Sequence, residues 1–227
     1  MNYYAVIVAG GTGNRMKNSI PKQFLLLNGR PVMMYAIEVF YTCPQHPKII
    51  VVLHEDVREY WLSLCKQYNF TIPHLLVNSG PQRFHSVKNG LAEIQGDGIV
   101  AIHDAARPLV SEEVVCKSFD FALENGNCVV GITPVDSVRT FYPKGNSTAL
   151  KRDELRLVQT PQTFQVDELK EAYKVEYNID FTDDASVMEA YGVAINVTEG
   201  NRENIKITYP EDLDIATIFL KRKRPMF

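Results

Sequence analysis

Two cations seven residues apart, Arg15 and Lys22, follow a run of strand formers, Tyr4–Val8, that ends in Ala9-Gly10-Gly11-Thr12-Gly13. Glycines let a backbone approach a ligand closely and turn several N–H groups toward it, which is how loops cradle phosphates. Fixed positive charge beyond such a loop suits a polyphosphate, and Arg suits it well because its guanidinium keeps its proton. These residue types point to a nucleoside triphosphate site. Spacing excludes two better-known glycine loops. The dinucleotide fingerprint would need glycine where Met16 stands, and the P-loop needs Lys where Asn14 follows Gly13. Alone, the Gly-Gly-x-Gly turn reads equally well as a tight turn; Arg15 and Pro21-Lys22-Gln23-Phe24 behind it favour the phosphate reading.

The stretch Ala9–Met16 with Pro21–Phe24 resembles the bacterial sugar- and alditol-phosphate cytidylyltransferases, nearest the methylerythritol-phosphate branch of non-mevalonate isoprenoid synthesis. The resemblance continues, in the family's order, at His103–Pro108, at Arg152 with Gln159–Gln162, at Thr182–Ser186 and at Glu199–Lys206. In one place the chain departs from that branch. Val8 and Gly10 stand where it more often has Pro and Ala, and an Ala-Gly-Gly loop also occurs in the ribitol-5-phosphate branch.

The resemblance implies a Rossmann-like three-layer α/β nucleotidyltransferase fold, a mostly parallel central sheet and an extended β-arm for dimerisation. It implies transfer of a cytidylyl group from CTP to 2-C-methyl-D-erythritol 4-phosphate, with release of pyrophosphate. Ribitol 5-phosphate is the alternative acceptor, and a non-catalytic nucleotide-binding module the reading from another class. Such a module would tolerate loss of one cation, yet Arg15, Lys22, Arg152 and Lys206 are all present.

By the same resemblance Arg15 and Lys22 stabilise the transition state at the triphosphate. Arg152 and Lys206 position the acceptor phosphate, Arg152 reaching over from a partner subunit. Ala9, Gly10, Gly11 and Gly13 form the phosphate loop, while Gly80 and Ser86 read cytosine. Asp104 meets acceptor hydroxyls or a Mg2+ ion held mainly by the triphosphate. Arg107 and Ser137 complete the substrate set, Ser137 keeping a hydroxyl where the family usually has Thr. Thr182 reads equally as an acceptor contact and as a helix N-cap. Arg83 faces either phosphate or solvent. His103 reads as a satisfied core histidine, and the further ligands that a His-Asp metal phosphohydrolase needs are not evident.

The implied reaction needs no general base. A phosphate monoester has a second pKa near ~6 and is largely dianionic at neutral pH. Its barrier lies in bringing two polyanions together and stabilising charge on the α-phosphoryl group and the leaving pyrophosphate. Fixed cations answer both needs.

Composition sets the frame. At 227 residues, 45% hydrophobic and 22% charged, the chain reads as one nucleotidyltransferase domain, 1–227, able to bury a sizeable core. A net charge of −3 argues against nucleic acid as a partner, so phosphate-binding charge has to be local. Cys43, Cys65, Cys116 and Cys128 show no C-x-x-C spacing and read as reduced, packed thiols. With no leader-like segment and no spanning apolar run, the expectation is a cytoplasmic chain without a membrane partner.

Apolar runs of strand length alternate with 3.6-period segments. Ala5–Val8, Ile49–Leu53, Leu75–Val77, Ile99–Ile102 and Cys128–Ile132 read as strands of a sheet covered on both faces. Between them Val32/Ala36/Val39/Phe40, Val57/Trp61/Leu64 and Val87/Leu91/Ile94 fall on single helix faces. Ser111 caps a helix over 112–124 that Gly126 ends, and Thr208-Tyr-Pro-Glu211 reads as a capping box. Right-handed crossovers then give a mostly parallel sheet, with ligands beyond its carboxyl ends, where the glycine loop and Asp104 both fall. The segment 137–164 breaks this rhythm. Ser137–Tyr142, a Pro143–Asn146 turn and Ala149–Thr160 read as an extended hairpin that needs a packing partner, either as a packed internal excursion or, as the resemblance implies, as a protruding arm that joins two copies into a homodimer.

Overall fold

The computed structural model describes residues 1–11 and 20–223. Its centre is a seven-stranded sheet built from β1 (Tyr3–Val8), β4 (Lys48–Leu53), β5 (Leu75–Asn78), β6 (Ile99–Asp104), β7 (Asn127–Ile132), β10 (Leu157–Gln165) and β11 (Val197–Glu199). The spatial order is β11-β7-β10-β6-β1-β4-β5. β1 runs parallel to β4 and β6, β4 to β5, and β11 to β7, while β10 lies antiparallel between β6 and β7. Two short pairs stand outside it: β2 (Leu26–Leu27) with β3 (Arg30–Pro31), and β8 (Arg139–Phe141) with β9 (Ser147–Ala149).

Helices cover both faces because the central strands are apolar on both. Against one face pack α1 (Val32–Tyr41), α2 (Arg58–Gln67) and α4 (Glu112–Asn125), burying Phe40, Trp61 and Phe119 with Ile7 and Val51 of the sheet. Against the other pack α3 (Arg83–Ala92), α5 (Val166–Ala172) and α6 (Asp184–Tyr191), around Val6, Ile102 and Phe164. The last helix, α7 (Glu211–Lys223), closes a smaller cluster with Leu27, Leu109 and Ile207. Among the described residues no helix is long and apolar enough to cross a membrane.

The local signals for α4 hold in detail. Ser111 Oγ accepts from Val114 N at 3.2 Å, and Gly126 ends the helix at φ 89°. Three expectations need correction. β5 is not a buried strand: it forms the sheet edge, and Leu75 at its start is exposed. The box at Thr208–Glu211 is displaced by one residue. The Asp212 carboxylate accepts from Thr208 N at 2.7 Å and Tyr209 N at 2.8 Å, while the Thr208 hydroxyl donates to Lys206 O instead.

The hairpin expected over 137–164 is also shorter than its sequence suggests. Only β8 and β9 pair, around a turn where Gly145 takes φ 85°. From Leu157 onward the chain joins the central sheet, and Gln159–Phe164 are buried there. The register of β10 on β7 shifts between Val158 and Gln162, around Pro161, which has no N–H to give to a neighbour. The hairpin therefore ends before β10.

Candidate active site

A cleft of about 440 Å3 opens at the carboxyl ends of β1 and β6. The end of β1 is tied to its two neighbours, Ala105 N after β6 donating to Val8 O at 3.0 Å and Ala9 N donating to Val52 O of β4 at 2.7 Å. The start of the glycine loop is held from beneath by the buried Gln23, whose Nε2 donates to Ala9 O at 2.8 Å. Gly10 sits so close to the β5–α3 connection that a Cβ there would lie 2.6 Å from Ser79 Cβ. Only glycine lets the two loops meet in this way.

Gly80 and Ser86 form the wall beside that loop. Ser86 Oγ accepts from Gly80 N at 3.1 Å and donates to Gln82 O at 3.2 Å, so the hydroxyl folds the 80–86 turn back on the start of α3. Lys22 reaches the cleft from the short helical turn at Lys22–Phe24, its Nζ donating to Ile207 O at 3.0 Å.

The floor is a charge cluster centred on Asp104 at the end of β6. Lys206 Nζ lies 2.9 Å from its Oδ2, Arg107 Nε 3.4 Å from the same oxygen, and Arg83 Nε 3.4 Å from Oδ1. Burial alone would raise the Asp104 pKa, but Arg83, Lys206 and Arg107 outweigh it and hold the carboxyl well below the usual carboxylate range. Arg83 keeps its charge for a matching reason: burial opposes it, while Asp184 and then Asp104 more than compensate.

Behind Asp104 lies His103, wholly buried, its Nε2 3.0 Å from Arg107 O and its Nδ1 3.0 Å from Thr160 Oγ1. Burial pushes its pKa down to about 4, so it is neutral in the fold and holds chain rather than substrate.

The structure thus brings Ala9, Gly10, Gly11, Lys22, Gly80, Ser86, Asp104 and Lys206 to one cleft. Arg107 does not line it; it stands behind Asp104, with Nη1 donating to Asn204 O at 2.8 Å. Ser137, Arg152 and Thr182 are exposed and do not line the cleft. Arg152 Nη1 donates to Val135 O at 2.9 Å at the base of the β8–β9 pair. Nor is Thr182 the helix cap: Asp183 fills that place in a box with Ser186. Gly13 and Arg15 lie outside the described residues. Sequence reasoning left Arg83 between phosphate and solvent and gave Asp184 no role. The two form a bidentate pair, with Nη1–Oδ1 at 3.0 Å and Nη2–Oδ2 at 2.7 Å. The Asp-Asp at 183–184 was the available signal, masked by its fit to a helix start.

A glycine loop, a buried carboxylate ringed by three cations and a further lysine in one cleft can hold two phosphorylated ligands side by side. Comparison with known proteins narrows the class. The family model described as IspD: 2-C-methyl-D-erythritol 4-phosphate cytidylyltransferase matches residues 3–222. The chain belongs to this family. The 2-C-methyl-D-erythritol 4-phosphate cytidylyltransferase of Phocaeicola vulgatus is 47% identical over 97% of the chain and 100% of the relative. That of Bacteroides fragilis is 47% identical over 95% and 98%. Among solved structures, the 4-diphosphocytidyl-2C-methyl-D-erythritol synthase of Anaerococcus prevotii superposes with a TM-score of 0.83 at 25% identity, covering 97% of this chain and 96% of that one. The Francisella tularensis 2-C-methyl-D-erythritol 4-phosphate cytidylyltransferase gives 0.79 at 29%, covering 96% and 99%.

Proposed function

We propose that this chain transfers the cytidylyl group of CTP to 2-C-methyl-D-erythritol 4-phosphate, releasing pyrophosphate, in the non-mevalonate synthesis of isoprenoid precursors. The observation that carries the reading is the charge cluster of Lys206, Arg83 and Arg107 around Asp104, with Lys22 and the start of the glycine loop lining the same cleft. Family membership fixes the substrates within that chemistry. The Ala9-Gly10-Gly11 loop is the one feature that favours ribitol 5-phosphate instead, and the match over 3–222 outweighs it.

An oxygen of the acceptor phosphate attacks the α-phosphorus of CTP, the bond from that phosphorus to the bridging oxygen breaks, and pyrophosphate leaves with the electron pair. The nucleophile is already an anion, so no side chain has to remove a proton. Lys22 and Arg15 offset charge gathering on the α-phosphoryl group and on pyrophosphate. Lys206 holds the acceptor phosphate in line, with Asp104 fixing the ammonium. Gly80 and Ser86 bound the cytosine end, the Ser86 hydroxyl folding that turn, with Gly10 of the phosphate loop beside it.

Among the described residues no group of three or more His, Cys, Asp or Glu side chains is arranged to hold a metal. Asp104 has both oxygens engaged by cations, Oδ2 by two and Oδ1 by one, which leaves a single acceptor site on Oδ1 and fits a divalent ion, Mg2+ in this reading, that would be held mainly by the triphosphate. Such an ion would supply charge neutralisation to the phosphate oxygens.

A homodimer belongs to the same reading. The β8–β9 hairpin exposes Phe141 at 74% and Tyr142 at 41%, apolar surface that a second copy would cover while presenting Arg152 and Ser137 to the neighbouring cleft. The test is direct: protein, CTP and Mg2+ are incubated with each acceptor, and pyrophosphate and the diphosphocytidyl product are quantified. Product from the methylerythritol phosphate at far higher kcat/KM than from ribitol 5-phosphate supports the reading, and the reverse order replaces the acceptor.

A further inference from the structure

The cleft floor is governed by a carboxylate that does not line it. Asp184, the first residue of α6, has a side chain with no exposure at all, and its two oxygens take the two terminal nitrogens of Arg83 from α3. Tyr173, just past α5, donates its hydroxyl to Asp184 Oδ1 at 2.6 Å. Burial first and then Asp184 keep that phenol protonated far above its ordinary range, so the donor is permanent. The adjoining backbone is pinned as well: Gln162 on β10 accepts from Ala185 N at 2.9 Å and donates to Asp183 Oδ2 at 2.9 Å. Nothing about Asp184 is left to turn.

With one N–H of each Nη group committed to Asp184, Arg83 meets Asp104 through Nε alone, at 3.4 Å. Lys206 therefore keeps the short contact, 2.9 Å to Oδ2. Desolvating a buried pair costs several kcal/mol, and an apolar pair would join α3 to α6 as well, so stability alone does not account for these charges.

We propose that Asp184 is a positioning residue for the transfer: it holds the guanidinium fork of Arg83 away from Asp104, so that Asp104 stays oriented on Lys206. Without the Asp184 charge, the fork's nearest anion is Asp104, and a guanidinium prefers a bidentate carboxylate. Asp104 would then swing toward Arg83 and release the Lys206 ammonium. The kinetic part of this inference rests on the proposed function; the placement of Lys206 does not.

Asp184→Asn tests it, because the amide keeps the shape and can still accept from Tyr173. The expected result is a KM for the acceptor phosphate raised tenfold or more, with the KM for CTP within twofold. A merely structural role would lower the melting temperature and leave that ratio alone. The second measurement needs no turnover: lysines are reductively methylated with 13C, and the Lys206 signal is assigned by its loss in Lys206→Arg. That resonance should move in Asp184→Asn. Tyr173→Phe, which removes one hydroxyl, should give the same changes at smaller size, and it decides the matter if Asp184→Asn does not fold. Wild-type protein that fails to use the acceptor would overturn the proposed function while the resonance still reports on Asp184. An unmoved Lys206 signal in a folded variant, or equal rises in both KM values, overturns the positioning role.

Discussion

Thr160 Oγ1 and His103 Nδ1 lie 3.0 Å apart, and the same hydroxyl accepts from the backbone N–H of Asp104 at 3.1 Å. Nε2 faces Arg107 O at 3.0 Å, an oxygen that can only accept, so the neutral imidazole carries its proton on Nε2 and Nδ1 takes the hydroxyl proton of Thr160. This chain of bonds fixes the backbone on both sides of Asp104 and requires a neutral histidine.

Acid should loosen this arrangement before it titrates any cleft carboxylate. Burial lowers the His103 pKa from 6.5 to about 4, so between those values the unfolded chain binds a proton that the folded chain refuses. Stability from this group is complete above about pH 6.5 and falls as pH drops toward 4. At 1.36 kcal/mol per unit the loss reaches about 3 kcal/mol. Urea titrations at pH 7.5 and pH 4.5 should show it, and a His103→Gln variant should show a much shallower acid dependence. Equal slopes in both proteins would remove His103 from the account.

A steric coupling joins the two loops at the nucleotide end. Gly10→Ala drives its methyl into Ser79 Cβ and should lower CTP affinity while costing about 1–3 kcal/mol of stability. Ser79→Gly vacates that space, so the double variant should recover most of both losses. Calorimetry with CTP and Mg2+ on all four proteins gives the cycle; additive losses would mean that Ser79 is not the obstacle.

How much of this was legible follows from the range of each interaction. The five apolar strands, the Ser111 cap and the convergence of Ala9, Asp104 and Lys206 rest on local pattern or on motifs, and a single sequence carries those. Arg83 and Asp184 are 101 residues apart and meet only because α3 and α6 share one face of the sheet. Leu157–Gln165 has the composition of a hairpin strand, yet β6 and β7 present open edges that it fills, and tertiary pairing overrides the local reading. At the last helix two acids adjoin, and the one that reaches back is Asp212 rather than Glu211.

Two lysines of the cleft should fail differently. Lys22→Ala, like Arg15→Ala, removes charge from the triphosphate and should cut kcat by about 10²–10³-fold with circular dichroism unchanged. Lys206→Met keeps the aliphatic stem and should instead raise the acceptor KM, lower kcat and leave CTP affinity near wild type. Steady-state kinetics beside CTP calorimetry separates them. A Lys206→Met protein that loses CTP but keeps its acceptor KM would move this ammonium to the triphosphate.

The proposed homodimer, with Arg152 serving the neighbouring cleft, predicts complementation. Lys22→Ala and Arg152→Ala proteins, each inactive, should regain activity when mixed and allowed to exchange subunits, because one cleft of a mixed dimer carries both lesions and the other neither. Recovery should approach one active cleft per mixed dimer. Verified exchange with no recovery would mean that Arg152 serves its own chain.

The chemistry itself is tested most directly by isotope. An acceptor phosphate carrying 18O at its three terminal oxygens should transfer all of them to the diphosphocytidyl product. The 31P signals of both phosphorus atoms in that diphosphate should then be isotope-shifted, through the labelled oxygen that bridges them, while pyrophosphate stays unshifted. Labelled pyrophosphate, or CMP formed in place of the diphosphate, would contradict attack by the acceptor phosphate on the α-phosphorus of CTP.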